Sequence, residues 1–83
     1  MPNDRRAWTI IEDGLDIGAV FADTRGQAMW ACVASYTDAW NCKPAEALLA
    51  FRVRRAPELD HLAQHVMPRR PFTMEYLRYL DTP

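Results

Sequence analysis

The stretch T-R-G-Q-A-M-W-A-C-V-A-S-Y-T-D-A-W-N, residues 24–41, decides how this chain folds, because it reads as one long helix with two unlike apolar stripes. Met29, Val33, Tyr36 and Trp40 recur at helical spacing and make a stripe of large side chains. Ala28, Cys32, Ser35 and Ala39 make a stripe of small ones directly beside it. At about 100° per residue Trp30 lands well away from the large stripe, near Thr37 and the polar side. The small stripe suits close approach to a sheet, and the chain's own C-terminal segment is expected on the large one. The sharper alternative places a partner protein on part of the bulky face, Trp30 included.

Upstream, A-W-T-I-I-E at 7–12 and I-G-A-V-F-A at 17–22 are rich in β-branched and aromatic residues and read as strands. Asp13-Gly14 between them favours a tight hairpin turn, since Gly tolerates positive φ. Asp23 or Thr24 is placed to cap the long helix, and Asn41 to stop it. Downstream, Pro44 opens a further turn of helix that A-E-A-L-L carries to about residue 49. F-R-V-R-R then alternates Phe51 and Val53 with Arg52 and Arg54, a third strand with one apolar and one basic face. Pro57 ends it. P-E-L-D-H-L-A-Q-H-V-M predicts a short helix with Leu59, Leu62 and Val66 inward. Pro68 and Pro71 predict an extended linker around Arg69-Arg70, because residues before proline avoid the helical region. Thr73 starts a C-terminal helix, T-M-E-Y-L-R-Y-L, with Met74 and Leu77 on its apolar side.

The expected fold is therefore a single small α+β domain over 1–83, with its core at about 7–66 and a C-terminal helical tail at 67–83. It has a three-stranded antiparallel sheet in β-β-α-β order, spatially 2-1-3, one long helix and short C-terminal helices. Its second sheet face would show Thr9, Arg52 and Arg54 unless the C-terminal segment covers it.

Eighty-three residues leave no room for a second core. Hydrophobic residues at 49% and charged residues at 25% match a globular chain, which argues against disorder. A domain of this size buries only about 60–65% of its unfolded surface, so it is marginally stable or assisted by a partner. The net charge of −1 excludes a domain-wide basic signature for nucleic acid. Charge is nonetheless uneven, with four basic and seven acidic side chains up to residue 50 and six basic and four acidic after it. No apolar run is long enough to span a membrane, and none follows the opening M-P-N-D-R-R as a secretory signal would. With only two cysteines, a cytoplasmic protein without a membrane partner is expected.

Catalytic signatures are weak. His61 and His65 share a helical spacing, but C-x9-C-x18-H-x3-H lacks the short cysteine spacing of zinc modules, so neither metal nor cofactor is expected. Cys32 or Cys42 with one of those histidines would be needed for nucleophilic catalysis, and no local signature surrounds either. Glu12, Asp13 and Asp16 cluster at the hairpin turn, where solvated carboxylates are ordinary. The chain is thus expected to be no enzyme. Nine of the ten basic residues are Arg, and Arg52, Arg54 and Arg55 with Arg69 and Arg70 could make one patch for phosphate contact. Trp30 and Trp40 as aromatic anchors, with Arg52, Arg54, Arg69 and Arg70 as polar contacts, are the candidate partner-binding residues.

Taken in order, W-T-I-I-E-D-G, I-G-A-V-F-A-D-T-R-G-Q-A, the long helix and F-R-V-R-R-A-P-E-L-D resemble the small orphan proteins of bacteriophages and prophages. The build is similar to that of anti-CRISPR inhibitors, over roughly residues 8–60. That resemblance implies a non-enzymatic protein in a bacterial host cytoplasm, binding a host protein or complex and inhibiting a defence system such as CRISPR–Cas. Two other readings stand beside it. One is a small nucleic-acid-binding regulator using the Arg set, and the other a self-associating phage accessory protein, a homodimer through the bulky helical stripe.

Overall fold

The computed structural model describes residues 6–82; the opening residues 1–5 and Pro83 lie outside them. Strand β1 (Ala7–Glu12) and strand β2 (Leu15–Phe21) form the expected hairpin. Its turn takes Asp13 and Gly14 at φ 53° and 77°, the two positive values that match the right-handed twist of the flanking strands. The register slips between Ile10 and Ile11, which pair with Gly18 and Asp16 respectively, so Ile17 is the extra residue of a β-bulge.

Helix α1 (Arg25–Trp40) is capped by Thr24, whose hydroxyl accepts the Gln27 N–H at 3.2 Å. Gln27 in turn reaches back to accept the Asp23 N–H at 3.1 Å, so two otherwise orphaned donors are satisfied at once. Asn41 ends the helix in the left-handed region, at φ 51°. Helix α2 (Pro44–Ala50) has its proline in the first turn. Strand β3 (Arg52–Arg55) follows, and then a 3₁₀ helix at Pro57–His65.

The sequence predicts three strands; the sheet has four, in the order β3-β1-β2-β4, all antiparallel. The expected 2-1-3 arrangement is present, and strand β4 (Phe72–Thr73) adds to the other side of β2. Two residues behind a proline carry no strand periodicity, so β4 is made by its neighbour and not by its own sequence. Gly18 is the enabling position: a Cβ there would collide with the Phe72 carbonyl. Helix α3 (Met74–Asp81) starts directly after β4, with the Thr73 hydroxyl accepting the Tyr76 N–H at 3.2 Å.

The two sheet faces carry separate cores. On the first, α1 and α2 bury Ile10, Val20, Cys32, Val33, Phe51 and Val53. On the second, the 3₁₀ helix and α3 bury Ala19, Phe21, Leu62, Ala63 and Leu77. This corrects two expectations. The C-terminal segment does not cover the bulky stripe of α1; it crosses to the other sheet face, where Phe21 would otherwise be exposed. Nor does the core stop near residue 66, because Leu77 is 1% exposed and Leu80 packs beside it. The linker around Arg69-Arg70 is a turn, not extended: Arg69 has φ 58°, and its N–H donates to the Phe21 carbonyl at 2.7 Å.

A polar clasp ties the second layer to the sheet. Asp60 accepts the Ala7 N–H at 2.7 Å and holds Arg55 through two bonds of 2.7 and 2.6 Å. The Arg55 guanidinium lies 5.9 Å from the centroid of the Trp8 ring. Those bonds hold the Asp60 carboxyl below its ordinary pKa and push Arg55 up.

Candidate binding cleft

Helix α1 does not sit on the sheet along either stripe. It seats on the boundary between them: Ala28, Cys32 and Val33 are buried, Met29 and Tyr36 are half-buried, and Ser35, Ala39 and Trp40 are exposed. Its C-terminal half therefore stands off the hairpin end of the sheet. The bulge brings Ile17 to the same side, and a cleft of about 230 Å³ opens between them. Ile10, Cys32 and Phe51 line it together with Tyr36, Trp40 and Pro71. An adjoining depression of about 270 Å³ shares Ile10, Ile17, Ser35 and Pro71 and continues the groove to Phe72 and Thr73.

An aromatic row organises one wall. Tyr36 lies 6.1 Å from Trp40 and 6.0 Å from Phe51, centroid to centroid, with tilted planes. Trp40 is 70% exposed and Ile17 43%, so the groove ends in large apolar side chains facing water. Among the described residues, Glu12 is the only charged side chain in the lining of either depression. It is half-buried, and it makes no hydrogen bond or ion pair with any described residue.

The remaining candidate residues scatter. Trp30 is 63% exposed on α1 but lies outside the cleft lining. Arg52 and Arg54 project from β3 at one edge of the sheet, Arg54 facing Asp16 at 3.5 Å. Arg69 and Arg70 sit in the turn before β4 at the opposite edge, with β1 and β2 between the two pairs. The five arginines thus do not assemble into the single patch that their sequence order allows.

Chemistry by the cysteine route is disfavoured by position. Burial pushes the Cys32 thiol up to about 12, so it holds almost no thiolate at neutral pH. His61 and His65 are on the 3₁₀ helix, across the sheet from it, and His61 Nε2 is 2.6 Å from Asp81 Oδ1. Among the described residues no three His, Cys, Asp or Glu side chains converge as a metal site would need. No described helix is long and apolar enough to cross a membrane.

Ile17, Phe51 and Pro71 are the cleft residues that sequence reasoning passed over. The bulge that turns Ile17 inward depends on pairing between strands, and no spacing in the sequence announces it. Comparison with protein-family models, with curated proteins and with solved structures finds no match, so only the geometry described above bears on what the cleft does.

Proposed function

We propose that this chain is a non-enzymatic protein-binding module that takes side chains of a partner protein into the cleft beside Trp40. The supporting observation is the open groove whose aromatic wall ends in the exposed ring of Trp40. At about 230 Å³ the cleft suits one or two large side chains. Trp and Tyr, here exposed Trp40 and half-buried Tyr36, are residue types that dominate interface energetics. The division of the arginines between opposite sheet edges disfavours a continuous track for a nucleic-acid backbone. The resemblance of the sequence's organisation to small phage proteins makes a host defence complex, CRISPR–Cas among them, the target class we propose, with inhibition by occupying its surface.

Capture from bacterial lysate with the tagged chain, with and without nuclease, tests this reading. A stoichiometric protein partner should survive nuclease and be held at least about tenfold less well by Trp40→Ala. In cells expressing the chain, plaque formation by a CRISPR-targeted phage should be restored, and lost again with that variant. A partner released by nuclease, or capture indifferent to Trp40→Ala, overturns it.

A further inference from the structure

The lining of the cleft is chemically lopsided. Its walls are the aromatic row of Tyr36, Trp40 and Phe51 and the aliphatic Ile17, and among the described residues its one charge is the carboxylate of Glu12. That carboxylate is half-buried and has no partner among the described residues. Arg52, across the ladder beside Glu12, pairs with Ile11, and side chains alternate faces along a strand, so it projects from the other sheet face. Among the described residues no basic side chain lines the cleft or the depression that extends it. A purely apolar occupant would desolvate Glu12 and give it nothing in return. An occupant with an apolar stem and a cationic end would satisfy both walls and carboxylate, since aromatic faces attract cations and the stem buries against Ile17 and Trp40.

We propose that the cleft is a slot for a basic side chain, arginine or lysine, presented by the partner protein, its stem against Trp40 and its charged end at Glu12. This rests on the cleft being the binding site and adds the chemistry of what enters it. It would make association salt-dependent without any nucleic acid, because the contact is between opposite charges at a half-exposed site.

The test uses the purified full chain and capped pentapeptides, identical except at their centre, which carries arginine, lysine or the uncharged norleucine. Nuclear magnetic resonance follows the ring signals of Tyr36 and Trp40. Arginine or lysine should bind about tenfold more tightly than norleucine. Glu12→Gln should erase that advantage while leaving the norleucine peptide where it was, with far-UV circular dichroism confirming the fold. If all three peptides move Tyr36 and Trp40 with equal affinity, indifferent to Glu12→Gln, the basic-side-chain assignment fails while the cleft remains a protein-binding site. If none moves them, both fail. Changes that follow protein concentration alone would make a second copy the occupant and also overturn the assignment.

Discussion

A methyl group added at Gly18 would run into the Phe72 carbonyl, because β4 lies against β2 there with no space for a Cβ. Gly18→Ala should therefore cost about 1–3 kcal/mol, as overpacking does, and lower the melting temperature by roughly 4–8 °C per kcal/mol. Thermal denaturation measures it, and an unchanged midpoint would mean that β4 is not seated there. Asp60 carries a pH signature. Its folded-state carboxyl titrates below the unfolded value, so its contribution is complete above about pH 4 and fades as pH falls toward the depressed value. Both partners of the Arg55–Asp60 pair are about a third exposed (34% and 35%), so screening holds that contribution to about 1 kcal/mol or less. Asp60→Ala should melt a few degrees below the parent at pH 7, with the gap narrowing below about pH 4. A gap that stays constant down to pH 3 would assign the loss to packing instead. The thiols differ too. Iodoacetamide at pH 8 should label half-buried Cys42 and spare Cys32, whose thiol titrates near 12, as peptide mass spectrometry would show.

At the scale of elements, what depends on neighbours in sequence was legible and what depends on neighbours in space was not. Asp13-Gly14, Asn41 and Pro44 through their backbones and Thr24 through its hydroxyl each mark an element boundary, and all four act where that local chemistry puts them. β4 and the placement of α3 follow from tertiary pairing: Phe72 and Thr73 become a strand only because Gly18 and Ala19 offer an edge. The cleft was half legible. Trp40 and Tyr36 stand out on the helix, but their relation to Glu12 and Ile17 comes from the bulge and from the way α1 lifts off the sheet. Helix faces can be separated by substitution. Leu77→Ala removes a side chain 1% exposed in the second core and should cost about 2–5 kcal/mol. Leu49→Ala, on α2 and 90% exposed, should change stability by less than about 0.5 kcal/mol. Urea titrations of the two variants compare them directly. A near-equal cost would mean that α3 does not contribute the core described here.

The whole molecule is one sheet clad on both faces, and that arrangement sets how it unfolds. The Cα radius of gyration, 12.2 Å, is close to the roughly 12 Å of a compact domain of this length. The two cores share the backbone of β1 and β2: Ile10 and Val20 belong to one, Ala7, Ala19 and Phe21 to the other. Losing either layer exposes alternate residues of the same strands, and neither face of so small a sheet stays folded bare to water. Unfolding should therefore be a single transition. Val33→Ala in the first layer and Leu77→Ala in the second should each shift it, with far-UV ellipticity and tryptophan fluorescence moving together and the urea slope unchanged. If Leu77→Ala instead splits off an early step in ellipticity while fluorescence holds, α3 and the 3₁₀ helix unfold on their own. In that case the cleft, which belongs to the first layer apart from Pro71, would outlast them, and the binding proposed for it would persist in a partly unfolded chain.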